Sequence, residues 1–433
     1  MSKSVQIITL GCSKNTVDSE KLLKQFKFSG YKLVSALNNH EKPDIVIVNT
    51  CGFINDAKEE SVNTILELIE AKKRGELGSL YVMGCLSERY MDVLKKEIPE
   101  ADRYFGVNKP EEILSHLNLS YNKFLEKERI LAGPSHYAYL KVSEGCNRNC
   151  TFCAIPGIRG RYVSRPHEEL VEEAKILAEA GVKELILIAQ DLTYYGTDLY
   201  KKQMLVSLCK DILKYTDIPW LRLHYLYPGS VSNELLQLMK ESPRICNYID
   251  IPVQHISDSV LTAMKRNHSE TETRKLLSFI RGYIPEAAIR TTLICGFPGE
   301  TENDFRTLMD FIREFRFDRL GVFTYSHEED TSAYINFTDN IPEKVKRERA
   351  DEIMAVQQEI SLQKNMSLVG KQMKVITDRK EGEYFIARSE YDSPEVDQEI
   401  LIESDKHELY PGDYCNVLIR GATEFDLKAS QLP

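Results

Sequence analysis

The stretch Cys146-Asn147-Arg148-Asn149-Cys150-Thr151-Phe152-Cys153 places three cysteines at the spacing C-x3-C-x2-C, directly after the strand-like run Tyr139-Leu140-Lys141-Val142-Ser143. Thiolates at this spacing can reach one metal centre, and soft thiolates select zinc, Cu(I) or iron–sulfur clusters. A structural zinc site normally takes four ligands in two separated pairs, and this stretch supplies no local fourth ligand. Three cysteines on a cubane cluster leave one iron with an open coordination position, which indicates chemistry rather than a structural role.

Cys146, Cys150 and Cys153 match the signature of the radical S-adenosylmethionine (SAM) enzymes, and the chain resembles that family. The resemblance implies that the unique iron binds SAM, and that one electron then cleaves SAM to a 5′-deoxyadenosyl radical. The alternative interpretation is three free or zinc-bound cysteines, but cysteines at this spacing without a matching pair are rarely structural in a cytosolic protein. The motif therefore predicts a 4Fe–4S cluster and SAM as cofactors.

Length and composition indicate a globular protein of two or three domains. The chain has 433 residues, of which 42% are hydrophobic and 28% charged. Residues 1–10 lack the apolar core of a signal peptide, and no apolar run approaches the roughly 18 residues of a membrane helix. We therefore expect a cytoplasmic protein with no membrane partner, whose ten cysteines are ligands, catalytic thiols or buried hydrophobes rather than disulfides.

Near the N-terminus, three apolar runs are each followed by a cysteine and then by helical periodicity. The runs are residues 5–10 before Cys12, 44–48 before Cys51 and 80–83 before Cys85. This alternation predicts an open α/β (Rossmann-like) domain with a parallel sheet, in which ligands gather at the carboxyl ends of the strands. A single cysteine after a strand would be interpreted as a buried residue of the hydrophobic core. Three cysteines in equivalent places favour a second cluster site.

The sequences around these cysteines resemble the N-terminal domain of the methylthiotransferases. They are Leu10-Gly11-Cys12-Ser13-Lys14-Asn15, Asn49-Thr50-Cys51-Gly52 and Met83-Gly84-Cys85-Leu86. The resemblance implies that Cys12, Cys51 and Cys85 hold an auxiliary 4Fe–4S cluster. The predicted cofactors are therefore two 4Fe–4S clusters and SAM.

After a linker at 118–135, strand-like and helical segments alternate six times. The strand-like segments are residues 139–143, 184–189, 221–225, 248–253, 289–295 and 319–324. Six units are two short of a complete barrel, so we predict a partial (β/α)6 barrel of the TIM type, which is the radical SAM fold by resemblance. The resemblance also implies that Phe152, Gln190 and Gly296 contact SAM.

The sequence of the C-terminal part predicts a long helix followed by a small barrel. Helix formers occupy residues 342–368, where Lys344, Lys346, Arg347 and Arg349 alternate with acids, and we expect these cations on a solvated face. Short strands follow at 373–377, 384–388, 399–403, 414–419 and 425–429, which predict an antiparallel β-barrel that resembles the TRAM domain. The predicted domains are residues 1–120, 136–367 and 368–433.

The charge of the C-terminal domain favours a protein substrate. Residues 371–433 contain 8 Lys and Arg against 14 Asp and Glu, a net charge of −6, which attracts a basic polypeptide and repels tRNA. Ser143-Glu144-Gly145-Cys146 and Gln190-Asp191-Leu192-Thr193-Tyr194-Tyr195-Gly196 also resemble the methylthiotransferase branch that modifies a ribosomal protein. A tRNA partner is thus not expected.

The resemblance implies a specific reaction. The chain would methylthiolate the β-carbon of an aspartate in the S-twelve protein of the small ribosomal subunit, with SAM as both methyl donor and radical source. It would need an electron donor such as flavodoxin or ferredoxin, and a sulfur source. No catalytic acid–base pair is predicted, because the cofactor performs the hydrogen abstraction. Two alternatives are the same reaction on a modified adenosine of tRNA, and a non-catalytic iron–sulfur or zinc module that binds ribosomes or RNA.

Overall fold

The computed structural model describes residues 2–34, 42–403 and 408–432. Its contacts divide the chain into two compact units. The first unit comprises residues 1–133, 139–148 and 154–176, and the second comprises residues 134–138, 149–153 and 177–433. Among the described residues, no helix combines the length and the apolar character needed to cross a bilayer.

The first unit begins with alternating strands and helices: β1 (Ser4–Thr9), α1 (Ser13–Phe28), β2 (Lys32–Leu33), β3 (Ile45–Thr50), α2 (Asn55–Lys73), β4 (Ser79–Gly84), α3 (Cys85–Glu97), β5 (Arg103–Tyr104) and α4 (Pro110–His116). The five strands form one parallel sheet in the order β2-β1-β3-β4-β5. The predicted open α/β domain is confirmed, with the three predicted runs at β1, β3 and β4. The edge strands β2 and β5 have two residues each, which is too short for a recognisable pattern.

Both faces of this sheet are buried, which explains the uninterrupted apolar runs. Val46 and Val48 of β3 pack in one hydrophobic cluster with Ile65 of α2. Ile47, which lies between them, packs in a second cluster with Phe26 of α1. Because successive side chains of a strand point to opposite faces, a strand covered on both faces is apolar at every position.

The next part of the chain again alternates strands and helices: β6 (Tyr137–Lys141), β7 (Ser143–Glu144), α5 (Ile155–Arg159), β8 (Val163–Ser164), α6 (His167–Glu179), β9 (Glu184–Ile188), α7 (Thr197–Tyr200), α8 (Leu205–Tyr215), β10 (Trp220–Leu223), α9 (Asn233–Glu241), β11 (Tyr248–Asp250), α10 (Asp258–Ala263), α11 (Glu270–Tyr283), β12 (Ala288–Cys295), α12 (Glu302–Phe315), β13 (Arg319–Thr324), α13 (Ser332–Asn336) and α14 (Glu343–Met366). Two three-stranded sheets run in the orders β10-β9-β6 and β11-β12-β13. Backbone hydrogen bonds from Leu221 to Arg244 (2.7 Å) and from Cys246 to Leu221 (2.9 Å) join β10 to the segment that leads into β11. The six predicted strands and the partial barrel are confirmed.

The C-terminal strands close into a small barrel: β14 (Gln372–Glu381), β15 (Tyr384–Ser389), β16 (Ile400–Glu403), β17 (Tyr414–Ala422) and β18 (Leu427–Gln431). Their order around the barrel is β14-β15-β16-β18-β17. The predicted barrel is confirmed, but it is not wholly antiparallel, because β16 and β18 pair in parallel. Between these two strands the chain reverses direction twice, once before β17 and once after it. β18 therefore runs in the same direction as β16.

A buried ionic network in the second unit ties β9 and β10 to the C-terminal barrel. The Glu184 side chain is fully buried and accepts a hydrogen bond from Arg222 Nε at 2.6 Å. Its second oxygen lies 2.6 Å from Arg388 Nη1, and Arg388 Nε donates to Asp378 Oδ2 at 2.6 Å. Two buried guanidinium groups therefore share the Glu184 carboxylate.

Replacing Glu184 with glutamine is expected to lower the free energy of unfolding by about 3–5 kcal/mol, because breaking a buried ion pair leaves uncompensated buried charge. The measurement is denaturant unfolding under anaerobic conditions. The matched control is Glu399→Gln, whose partner Arg379 in the C-terminal barrel is 49% exposed. Loss of such a surface pair should cost about 0–1 kcal/mol. Equal losses in the two variants would contradict the role given to Glu184.

Candidate functional site

Three predicted ligands lie at the carboxyl ends of three adjacent strands in the first unit. Cys12 follows β1 and precedes α1, Cys51 follows β3 directly, and Cys85 begins α3 after β4. The parallel sheet has β1, β3 and β4 side by side, so its topology brings together residues that are far apart in the sequence. This is the edge at which open α/β sheets bind ligands.

Close backbone approach shapes the surroundings of these cysteines. Gly11 has a positive φ of 88°, and a Cβ at this position would lie 2.7 Å from Cys51 Cβ and 3.0 Å from Cys51 Sγ. The Cys85 thiol lies 3.9 Å from Asn15 Oδ1, and the Asn15 side-chain amide donates to Leu10 O and Thr50 O. Asn15 thus links the ends of β1 and β3 beside Cys85.

A buried arginine accompanies the three thiols. The side chain of Arg159 is 1% exposed, its Nη2 donates to Asn15 Oδ1 at 2.6 Å, and its Nη1 donates to Glu144 Oε1 at 2.7 Å. Asp18 Oδ2 lies 3.4 Å from both Nη atoms, and Lys141 Nζ donates to both Asp18 and Glu144. We refer to Arg159, Asn15, Asp18, Glu144 and Lys141 as the Arg159 network.

The Arg159 network brings a buried guanidinium beside the predicted auxiliary ligands, although its two cations and two carboxylates balance one another. Burial raises the pKa of the Cys85 thiol to about 12, while the Arg159 guanidinium acts in the opposite direction. Burial likewise raises the pKa of Cys51. Three soft sulfur donors with a compensating guanidinium fit a negatively charged iron–sulfur cluster, and the assignment of these ligands stays a prediction.

The residues of the C-x3-C-x2-C motif are held by different parts of the fold. Cys146 belongs to the first unit, where its N–H donates to Gly160 O at 3.1 Å and its sulfur accepts a hydrogen bond from the Arg148 N–H. Cys150 and Cys153 belong to the second unit, where the Cys153 N–H donates to Cys150 O. In the described part of the chain, no group of three or more His, Cys, Asp or Glu side chains is positioned to hold a single metal ion. The assignment of the motif cysteines as cluster ligands also stays a prediction.

Arg266 is a polar neighbour of Cys150 that no sequence motif indicates. Its Nη1 lies 3.6 Å from Cys150 Sγ, and its Nη2 donates to Pro252 O at 2.7 Å. Thr151 is fixed beside Cys150 by hydrogen bonds to Met264 O and Ala263 O. The loop that carries Cys150 is therefore anchored to the end of α10.

The three residues predicted to contact SAM lie in the second unit. Phe152 is half-buried and packs against a cluster that includes Met264 and Phe297. Gly296 follows β12 directly and precedes Phe297, whereas Gln190 lies two residues beyond the end of β9. Phe152 and the Gly296 loop are therefore brought together through Phe297, and Gln190 lies at another strand end. Their contacts with SAM stay a prediction.

The loop after β12 contains a buried charged cluster that is not among the predicted site residues. The Gly296 N–H donates to Glu300 Oε2, and Glu300 Oε1 accepts from Arg349 Nη1, each at 2.7 Å. A Cβ at Gly296 would lie 2.4 Å from Lys346 Cγ. The expectation that Lys346 and Arg349 are solvated is wrong, since these residues are 0% and 8% exposed.

A signal for this cluster is present in the spacing of α14. The buried residues of the helix include Lys346, Arg349, Ile353, Gln357 and Ile360. They follow one another at three or four positions, so they share one face of the helix. Lys344 and Arg347 lie off this face and are exposed, as expected.

Three family models match consecutive parts of the chain. The uncharacterized protein family UPF0004 matches residues 4–106, the radical SAM superfamily matches residues 140–312, and the TRAM domain matches residues 369–431. The matched regions contain the predicted auxiliary cysteines, the C-x3-C-x2-C motif and the small barrel, respectively.

Curated relatives match almost the whole length of the chain. Ribosomal protein uS12 methylthiotransferase RimO of Christiangramia forsetii is 51% identical over 428 residues, which cover 99% of this chain and 94% of the relative. The protein of the same name from Phocaeicola vulgatus is 50% identical over 431 residues and 99% of both chains. The one from Flavobacterium psychrophilum is 52% identical over 423 residues, which cover 98% of this chain and 96% of the relative.

Solved structures of low sequence identity share the fold. The radical SAM methyltransferase TsrM from Kitasatospora setae aligns with a TM-score of 0.55 at 14% identity, over 75% of both chains. The cobalamin-dependent SAM radical enzyme OxsB aligns with a TM-score of 0.53 at 12% identity, over 82% of this chain and 56% of its own. These similarities support the α/β architecture.

Proposed function

This chain belongs to the ribosomal protein uS12 methylthiotransferases, and from this premise we propose that it transfers a methylthio group to the β-carbon of an aspartate of uS12. It is a radical SAM methylthiotransferase, whose cofactors are SAM and two 4Fe–4S clusters. The observation that carries the proposal is that Cys12, Cys51 and Cys85 lie at the ends of three adjacent strands. Sulfur transfer needs a site for the sulfur in addition to the site at which SAM is cleaved to a radical.

We propose that Cys146, Cys150 and Cys153 hold the radical SAM cluster and that Cys12, Cys51 and Cys85 hold the auxiliary cluster. When bound, these groups supply one-electron cleavage of SAM, removal of a hydrogen atom from carbon, and the sulfur that is transferred. The protein supplies position and charge. Asn15 links the strand ends beside Cys85, and the Arg159 guanidinium opposes the rise that burial causes in the pKa of the Cys85 thiol.

The proposed SAM contacts are Phe152, Gln190 and Gly296. Phe152 is a half-buried aromatic ring that can pack against the adenine, and the close approach of Lys346 leaves no room for a side chain at Gly296. Gln190 is half-buried beyond the end of β9 and has a side-chain amide that can hydrogen-bond to SAM. In barrels of this type, such strand ends face the catalytic mouth.

The proposed domains are residues 1–120, 136–367 and 368–433. They are consistent with the extents of the three family matches, and the last boundary lies between the end of α14 and the start of β14. We propose that the third domain contributes to recognition of the protein substrate.

The charges of the C-terminal barrel favour a basic protein over tRNA. Of its cations, Arg388 is buried between Glu184 and Asp378, and Arg379 is bonded to Glu381 and Glu399. These two arginines are therefore engaged by carboxylates, whereas acids outnumber bases by 14 to 8 in residues 371–433. Phosphate binding needs uncompensated cations, so electrostatic attraction supports a basic ribosomal protein as the partner.

The test of the proposed function offers two substrates to the anaerobically reconstituted protein with SAM and reductant. One is a synthetic uS12 peptide that contains the target aspartate, and the other is unmodified tRNA. We expect a methylthio gain on the peptide aspartate in mass spectrometry and none on tRNA, with Cys150→Ala as the inactive control. A methylthio gain on tRNA alone would contradict the proposed protein substrate but would still support methylthio transfer as the reaction.

We further propose three features of the cellular context. A one-electron donor such as a flavodoxin or ferredoxin supplies the electron that each SAM cleavage consumes. A separate sulfur source replaces the sulfur that leaves with each product. The protein acts in the cytoplasm, where newly made ribosomal proteins are available as substrates.

A further inference from the structure

A cavity of about 460 Å³ lies within the first unit, beside Asp18, Lys141 and Glu144 of the Arg159 network. Its volume falls in the range of about 300–1,000 Å³ that is typical of ligand sites. Residues of α1, the start of α4, the 121–126 segment, β7 and the start of α6 line it. The function proposed above does not use this cavity.

Five carboxylates and three cations line the cavity, and all three cations are already paired. Lys21 lies 3.7 Å from Glu173, and Arg165 Nη1 lies 2.7 Å from the same carboxylate. Lys141 is bonded to Asp18 and Glu144. An anionic ligand would have to compete with these internal carboxylates, and the lining carries a net charge of −2, so the cavity favours a positively charged ligand.

Three of the lining carboxylates have no cationic partner. In the described part of the chain, no lysine or arginine forms an ion pair with Glu111, Glu126 or Glu169, and Glu126 accepts a hydrogen bond from the Tyr121 hydroxyl. Glu111 and Glu169 lie in the first turns of α4 and α6. These carboxylates therefore offer acceptor oxygens to a ligand.

A buried hydroxyl provides an independent sign of a ligand. Ser143 of β7 is only 3% exposed and lines the cavity, yet its Oγ has no hydrogen-bond partner among the described residues. Buried polar atoms are nearly always hydrogen-bonded, and a hydroxyl oxygen accepts readily from an ammonium or guanidinium N–H. A cationic side chain in the cavity can satisfy this hydroxyl and the unpaired carboxylates.

We propose that this cavity binds a lysine or arginine side chain of the protein substrate. The inference rests on the proposed function, because a basic ribosomal protein presents such side chains to the enzyme. The cavity then acts as a specificity site that selects basic sequence around the target aspartate. The substrate is then recognised by this cavity of the first unit as well as by the acidic C-terminal domain.

The test measures peptide binding to the reconstituted full-length protein by fluorescence anisotropy at low ionic strength, so it does not need turnover. The probes are a labelled uS12 peptide with its own lysines and arginines, and the same peptide with norleucine and citrulline in their places. The cavity variant combines Glu111→Gln, Glu126→Gln and Glu169→Gln. Its matched control variant removes the same charge from exposed positions of the first unit, by Glu59→Gln, Glu67→Gln and Asp92→Asn.

We expect the cavity variant to bind the native peptide roughly tenfold more weakly than the control variant does, as the loss of several partly exposed ion contacts implies. The neutral peptide should bind equally to both variants. A difference smaller than about threefold for the native peptide, or no preference of the unmodified protein for the native over the neutral peptide, would reject the cavity as a cation site. Methylthio transfer to the peptide is measured separately, so failure of the proposed function is distinguishable.

Discussion

Replacing Arg159 with methionine is expected to lower the reduction potential of the auxiliary cluster by about 60 mV, a tenfold change for a one-electron couple. Arg159 is buried and interacts electrostatically with Cys12, Cys51 and Cys85. Reduction adds negative charge to a cluster, so removal of a nearby positive charge destabilises the reduced form. The measurement is a redox titration followed by electron paramagnetic resonance.

The matched control is Arg129→Met. Arg129 belongs to the same unit, its side chain is also 1% exposed, and it pairs with Glu20 and Glu173 rather than with the cysteines. Both variants should be less stable than the unmodified protein, since each removes a cation from buried carboxylates. Only Arg159→Met should change the potential of the auxiliary cluster. Equal potentials in the two variants would show that Arg159 is merely structural.

The variant Arg159→Lys distinguishes the effect of the positive charge from the effect of the guanidinium's hydrogen-bond geometry. Arg159 contacts Asn15, Asp18 and Glu144 through two different nitrogens, which a single ammonium group cannot reproduce. We expect Arg159→Lys to restore most of the potential but only part of the thermal stability. The effect of charge and the effect of packing are thereby measured independently.

The second large effect concerns the auxiliary cysteines. Combined replacement of Cys12, Cys51 and Cys85 with alanine is expected to abolish methylthio transfer, because the site for the transferred sulfur is removed. SAM cleavage should persist, since the C-x3-C-x2-C motif is intact. Iron after anaerobic reconstitution should fall from about eight to about four atoms per chain, as loss of one cubane cluster requires.

Two further variants serve as controls for this prediction. Combined replacement of Cys146, Cys150 and Cys153 with alanine should leave about four irons as well, but it should abolish both SAM cleavage and methylthio transfer. Cys209 is fully buried in the second unit, and its replacement with alanine should leave the iron content unchanged. These controls separate ligand loss from a general effect of removing cysteines.

The strands of the sheet were predictable because burial on both faces produces a direct sequence pattern. Residues Ile45, Val46, Ile47 and Val48 are all buried, with neighbours on opposite faces, so the apolar run is visible without a structure. The auxiliary cysteines could be placed from the same pattern, since each follows such a run. Parallel strands bring their carboxyl ends to one edge of the sheet whatever their separation in sequence.

Features that depend on tertiary contacts were not predictable. Arg159 is 144 residues from its hydrogen-bond partner Asn15, and no local pattern connects the two. The spacing of α14 places Lys346 and Arg349 on its buried face, but their partners in the loop after β12 could not be read from the helix. The parallel pairing of β16 with β18 likewise follows from closure of the barrel rather than from the composition of either strand.

The most direct test of two clusters with separate roles is to measure 5′-deoxyadenosine and methylthiolated uS12 peptide in the same reaction of the Cys12, Cys51 and Cys85 variant. We predict that 5′-deoxyadenosine still forms and that no methylthiolated peptide appears. Methylthiolated peptide at the level of the unmodified protein, with iron reduced to about half, would contradict the account.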